Sequence, residues 1–240
     1  MLRNHGVRAL VAAALFACPP AFAARTALIF GDSLSAAYGL SPSQGWVHLL
    51  DERARRAGFD WRIVNASISG ETTAGGLRRL PEDLKRHKPD LVVIALGAND
   101  GLRGQPVAGI RANIEQMVRL ARGARAEPVL VGIMIPPNYG IDYAAQFHDL
   151  YAGVARKLNV TLVPFMLDGI AEKPELFLPD QMHPSAAAQP RILDNVWKSL
   201  EPLLKKKPAT MPPAAGRSSE RTGGRSTTRD GDQEPKKLGA

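Results

Sequence analysis

Five residues scattered along the chain carry the groups from which an acyl-transfer site can be built. They are Ser33 in "FGDSL", Gly70 in "SISGETT", Asn99 in "GANDG", and Asp180 and His183 in "LPDQMHP". A serine hydroxyl at its ordinary pKa is a poor nucleophile and needs a base. The usual base is a histidine held in one tautomer by a carboxylate. In a tight loop, an aspartate three residues before a histidine can reach Nδ1 and leave Nε2 facing the serine. His183 alone among the five histidines has such a partner on a loop. His48, His87 and His148 fall on helical patterns, and His5 lies in an N-terminal leader. Attack on a carbonyl also needs donors where the oxyanion develops. The Ser33 amide, the unobstructed amide of Gly70 and the Asn99 carboxamide are the candidates. Each is an ordinary turn or capping residue when taken alone. Only their joint placement has weight.

Other chemistries lack their residues. Ser35 stands where the second glycine of a G-x-S-x-G elbow belongs, so the standard α/β-hydrolase reading fails. No H-E-x-x-H, Cys/His cluster or Asp-rich loop suggests a metal, and no G-x-G-x-x-G follows the first strand. No cofactor is expected.

The elements that must position these residues are legible as well. Apolar runs at 26–30, 61–67, 90–97, 128–135 and 160–165 alternate with amphipathic stretches at 45–57, 74–87, 107–123, 142–157 and 185–204. Runs such as "LVVIAL" lack alternation, as strands covered on both faces do. The pattern predicts an α/β fold, a single doubly wound domain with a five-stranded parallel sheet flanked by helices. In such sheets, sites form beyond the carboxyl ends of the strands. Those loops are the ones that hold Ser33, Gly70, Asn99, "PPNYG" (136–140) and the Asp180–His183 pair.

The two ends differ in composition from the middle. Residues 1–23 have a basic start (Arg3, Arg8), a short apolar run and small residues at Ala21 and Ala23, the pattern of a secretory signal peptide. The run is too short to span a hydrocarbon core of roughly 30 Å. The one cysteine, Cys18, lies inside it, with lipoprotein anchoring there as a lesser alternative to cleavage. Residues 205–240 are rich in Pro, Gly, Ser, Thr and charge, and are expected to be a disordered basic tail. The tail holds a net charge of +5 and the leader +2, leaving +1 of the total +8 for the middle. The high isoelectric point therefore belongs to the ends. The folded domain, 24–204, offers no charge argument for a nucleic-acid partner.

"GDSL" at 31–34, Gly70 in "NASISGETT", "GAND" at 97–100 and "DQMHP" at 180–184 resemble, in order, the four blocks of the SGNH (GDSL) hydrolases. The intervening text is similar to the acyl-CoA thioesterase I, lysophospholipase and arylesterase branch, over nearly all of 25–204. The resemblance implies a flavodoxin-like fold and an esterase that works through an acyl-enzyme. It implies Ser33 as nucleophile, His183 as base, Asp180 as its orienter, and Ser33 N–H, Gly70 N–H and Asn99 as the oxyanion hole. The family's acyl sites are shallow grooves, for which Leu34, Leu77, Leu80, Ile135, Pro136 and Tyr139 are the candidate lining residues. The expected partner is a small-molecule or lipid ester, met by a monomer in the periplasm or outside the cell without stable membrane insertion. The alternatives are a carbohydrate O-acetyl esterase and a non-catalytic envelope-binding protein. The long basic tail departs from the branch, and Asp32 is given only a loop-bracing role.

Overall fold

The computed structural model describes residues 24–206. The leader at 1–23, and the expected tail beyond Lys206, lie outside the described residues. Five strands form one parallel sheet: β1 (Arg25–Gly31), β2 (Trp61–Asn65), β3 (Leu91–Ala95), β4 (Glu127–Val131) and β5 (Thr161–Val163). Their spatial order is β2-β1-β3-β4-β5. This is the flavodoxin-like order, in which the chain steps one way from β1 to β2 and the other way from β2 to β3.

Among the described residues there are six α-helices: α1 (Trp46–Arg56), α2 (Thr73–His87), α3 (Ala98–Leu102), α4 (Val107–Gly123), α5 (Ile141–Leu158) and α6 (Gln189–Leu204). Crossovers between parallel strands are right-handed almost without exception, so reversing direction puts the connecting helices on opposite faces. Helix α1 accordingly packs with α6, while α2, α4 and α5 form a second layer. Both sheet faces are thereby covered, and every residue of β3 is buried. None of the described helices is long and apolar enough to cross a membrane.

Strand β1 runs one residue past its apolar run, while the other four end earlier than their runs suggest. The run at 128–135 leaves the sheet at Gly132, where any side chain would strike the Pro164 carbonyl of the neighbouring segment. The short α3, directly after β3, was not expected from the sequence; its five residues are too few to show helical periodicity.

The reversal at β1 opens a crevice between the carboxyl ends of β1 and β3. Its walls are the segments that follow those strands. The first wall is braced from three sides. Trp46 Nε1–H donates to the Leu34 carbonyl (3.1 Å), Asn65 Nδ2 donates to the Ser35 carbonyl (2.8 Å), and Ile68 N–H donates to the Gly31 carbonyl (3.0 Å). Trp46 has no exposed surface, and its backbone N–H is taken by Gln189 of α6 (3.0 Å). The turn after β1 is thus fastened to α1, to β2 and to the loop beyond β2.

Candidate active site

Strand β1 runs through the core and delivers the chain to Ser33 in a tight turn. The Asp32 carbonyl accepts the N–H groups of Ser35 (3.1 Å) and Ala36 (2.9 Å), and the Asp32 Oδ1 accepts that of Leu34 (3.0 Å). Bonding to the amide two residues on is how aspartate shapes a turn. The Ser33 N–H is left without an acceptor among the described residues.

Across the crevice lies a closed loop. The Leu178 N–H donates to the His183 carbonyl (2.7 Å), Phe177 bridges Pro184, and the Ser185 N–H donates to the Leu176 carbonyl (2.7 Å). Inside it, Asp180 Oδ2 lies 2.7 Å from His183 Nδ1, while Oδ1 accepts the N–H groups of Met182 and His183, both at 2.9 Å. His183 Nε2 lies 3.0 Å from Ser33 Oγ. With Nδ1–H given to the carboxylate, Nε2 presents a lone pair to the hydroxyl. Residues 150 positions apart are joined.

The His183 N–H, followed by the imidazole and the Met182 N–H, holds the Asp180 carboxyl down at about 2. Asp180 is therefore ionised throughout the neutral range. The stability it contributes is complete above its ordinary value of 3.8 and is lost as the pH falls towards about 2.

The sequence-predicted oxyanion donors stand on neighbouring walls. Gly70 has φ +80° and an N–H with no acceptor among the described residues. An added Cβ there would meet nothing within 4 Å, so backbone conformation rather than space demands glycine. The Asn99 Nδ2 donates to the Glu71 carbonyl (3.0 Å), which occupies one of its two N–H groups.

Six rim candidates separate into two groups. Pro136 and Tyr139 are exposed, and Leu34 and Leu77 are half-buried. Leu80 and Ile135 are corrections: Leu80 has no exposed surface, Ile135 almost none, and both belong to the hydrophobic core. On α2, Leu80 turns inward with Leu84. Beyond β4 it is Met134, next to Ile135, that is exposed.

One feature was missed, and a second was read only in part. The Tyr38 ring lies 4.3 Å from the His183 imidazole, tilted by 35°. An aromatic residue five positions after the candidate serine was the available signal. The second is Asp32, whose side chain is 1% exposed. Burial, opposed by the Leu34 N–H, pushes its carboxyl up from 3.8 to about 7.

This raised value predicts a pH effect on stability. The folded state keeps the proton to a higher pH than the unfolded chain, so the protein loses stability as the pH rises from 3.8 towards about 7. Asp32→Asn should remove that slope, which is on the order of a few kcal/mol. Urea midpoints at pH 4.5 and 7.5 measure it, and a slope unchanged in the variant would assign the proton elsewhere.

A flavodoxin-like α/β sheet with a serine, a histidine and an aspartate within hydrogen-bond reach across its switch-point crevice is the arrangement found in hydrolases. Residues 29–190 match the GDSL-like lipase/acylhydrolase family. Over 182 residues the chain is 52% identical to esterase TesA of Pseudomonas aeruginosa, covering 76% of this chain and 90% of that one. It is 42% identical over 188 residues to thioesterase 1/protease 1/lysophospholipase L1 of Escherichia coli, covering 77% and 87%. The crystal structure of TesA superposes with a TM-score of 0.73 at 51% identity, covering 75% of this chain and 99% of that one. The chain belongs to the GDSL (SGNH) acylhydrolase family and is an ester-hydrolysing enzyme.

Proposed function

We propose that the protein hydrolyses short-to-medium acyl esters or thioesters, aryl esters and lysophospholipids through an acyl-enzyme on Ser33. The observation that carries this reading is the Ser33–His183–Asp180 chain, at 3.0 and 2.7 Å, together with the backbone N–H groups of Ser33 and Gly70, which have no acceptor among the described residues.

His183 Nε2 removes the Ser33 proton as Oγ attacks the acyl carbonyl, and Asp180 supports the imidazolium that forms. The tetrahedral oxyanion accepts from Ser33 N–H, Gly70 N–H and the remaining Asn99 N–H. Collapse expels the alcohol or thiol, which takes the proton from His183. Water, activated by the same imidazole, then attacks the acyl-enzyme and releases the acid.

The exposed large apolar side chains favour an apolar acyl or aryl group. Tyr38, Ile68, Met134, Tyr139, Ile141 and Met182 all lie on segments beyond the carboxyl ends of the strands. The leader at 1–23 supports export, with the mature enzyme periplasmic or secreted, and this disfavours cytosolic acyl-CoA as the natural substrate.

The test is a series of p-nitrophenyl esters of rising chain length on the mature protein, with fluorophosphonate labelling. Labelling at Ser33 and turnover that persists into medium chains are expected. Hydrolysis of acetate alone would redirect the substrate to O-acetyl groups, and absence of labelling would remove the acyl-enzyme.

A further inference from the structure

The donors assigned to the oxyanion hole come from different crossovers. Gly70 belongs to the loop between β2 and α2, and Asn99 to α3 beyond β3. Nothing in the covalent chain holds 70 and 99 at a fixed spacing, yet a displacement of about 1 Å at such a site can cost on the order of 10²-fold in rate.

A buried contact joins the two segments. Asp100 follows Asn99 directly, is 4% exposed, and takes both donors of Thr73. The Thr73 N–H reaches Oδ2 at 2.8 Å and the Thr73 hydroxyl reaches Oδ1 at 2.6 Å. Asn113 of α4 donates to the same hydroxyl oxygen (3.1 Å) and orients it. Thr73 has no exposed surface and is the first residue of α2, three positions beyond Gly70.

Helix α2 does not need this bond as a local cap. Its own Thr72 side chain accepts the Gly75 N–H (3.1 Å). Asp100 instead places a carboxylate from another element against the positive end of the helix, where backbone dipoles stabilise negative charge. No Lys, Arg or His forms an ion pair with it among the described residues. A nearly inaccessible carboxylate without a cation is costly unless its hydrogen bonds are complete, and here they bind one loop to the other. The Asn99–Glu71 bond, and a longer one from Arg103 Nη2 to the Gly70 carbonyl (3.4 Å), run in parallel with it.

We propose that Asp100 is a positioning residue, which through Thr73 locks the Gly70 loop to the Asn99 helix and sets the spacing of the oxyanion donors. This rests on the oxyanion assignment made above, and the test separates the two.

In the mature full-length enzyme, Thr73→Val removes the hydroxyl while keeping the side-chain volume, and Asp100→Asn is the second lesion. Each should lower kcat on p-nitrophenyl butyrate by at least about 10-fold, with KM changed by less than about two-fold. Thr73→Ser, which keeps the hydroxyl, should restore kcat. In an Asn99→Ala background, itself expected to lose about 10²–10³ in kcat, Thr73→Val should add little, because the donor it positions is gone.

If Asn99→Ala retains kcat, the oxyanion reading fails and the proposal falls with it. If Asn99→Ala loses kcat while folded Thr73→Val and Asp100→Asn retain it, only the positioning role is overturned. Losses that multiply fully in the double variant, or a Thr73→Ser enzyme as slow as Thr73→Val, also overturn it.

Discussion

Ser33→Ala is expected to lower kcat on a p-nitrophenyl ester by about 10⁶, the size of loss seen where a triad acts as a unit. No other group can take over. The Ser33 hydroxyl is the one that His183 Nε2 meets, at 3.0 Å. The variant should fold normally, because the bonds that hold the turn come from the carboxyl and carbonyl of Asp32, the Leu34 carbonyl and the Ser35 carbonyl. None uses the Ser33 side chain. Fluorophosphonate labelling should vanish while the melting temperature stays put. Hydrolysis within about 10²-fold of wild type would remove Ser33 from the chemistry, since that residue is the premise of a covalent mechanism.

Asp180→Asn is expected to cost about 10⁴ in kcat, and for a different reason. Asp180 Oδ1 holds the loop through two backbone N–H groups, and Oδ2 holds the imidazole. An asparagine oxygen can keep the loop, but its NH₂ then meets Nδ1, which must turn to the acceptor tautomer. The proton moves to Nε2, and the base facing Ser33 becomes a donor. The variant should still fold, losing at neutral pH only the stability that the charged carboxylate contributes, while the rate collapses. A rate within about 10-fold of wild type would show that the imidazole keeps its tautomer without the carboxylate, and Asp180 would then serve the loop alone.

Asp32 and Asp180 separate by environment. The buried carboxyl is pushed up to about 7 by desolvation, and the solvent-facing one is held at about 2 by N–H donors. The sequence separates their roles, Asp180 as the orienter of His183 and Asp32 as a loop brace. Their opposite shifts come from burial and partners, which are tertiary facts.

Much of the fold was legible because its causes are local. The run "LVVIAL" is apolar without alternation, and it became β3, buried throughout. The amphipathic stretch at 107–123 became α4 with the same bounds. Leu80 shows the limit. It follows the loop of Gly70 and is apolar, so the sequence leaves rim and core equally open; the rotation of α2 against the sheet put it in the core. The Tyr38–His183 contact had only a local signal, an aromatic residue five positions after Ser33, since no period or spacing relates position 38 to position 183.

By itself, the sequence determined which elements form and which residues end up in loops at one edge of the sheet. Strand and helix patterns, and the turn chemistry of Gly, Asp and Asn, depend on neighbours a few positions away. The tertiary structure decided which of those loop residues touch. It set the 3.0 Å from His183 to Ser33, the amides at Ser33 and Gly70 that find no acceptor among the described residues, and the bond from Thr73 to Asp100. Distances between separate loops follow from how two helix layers pack on a twisted sheet, and packing is a property of the whole core.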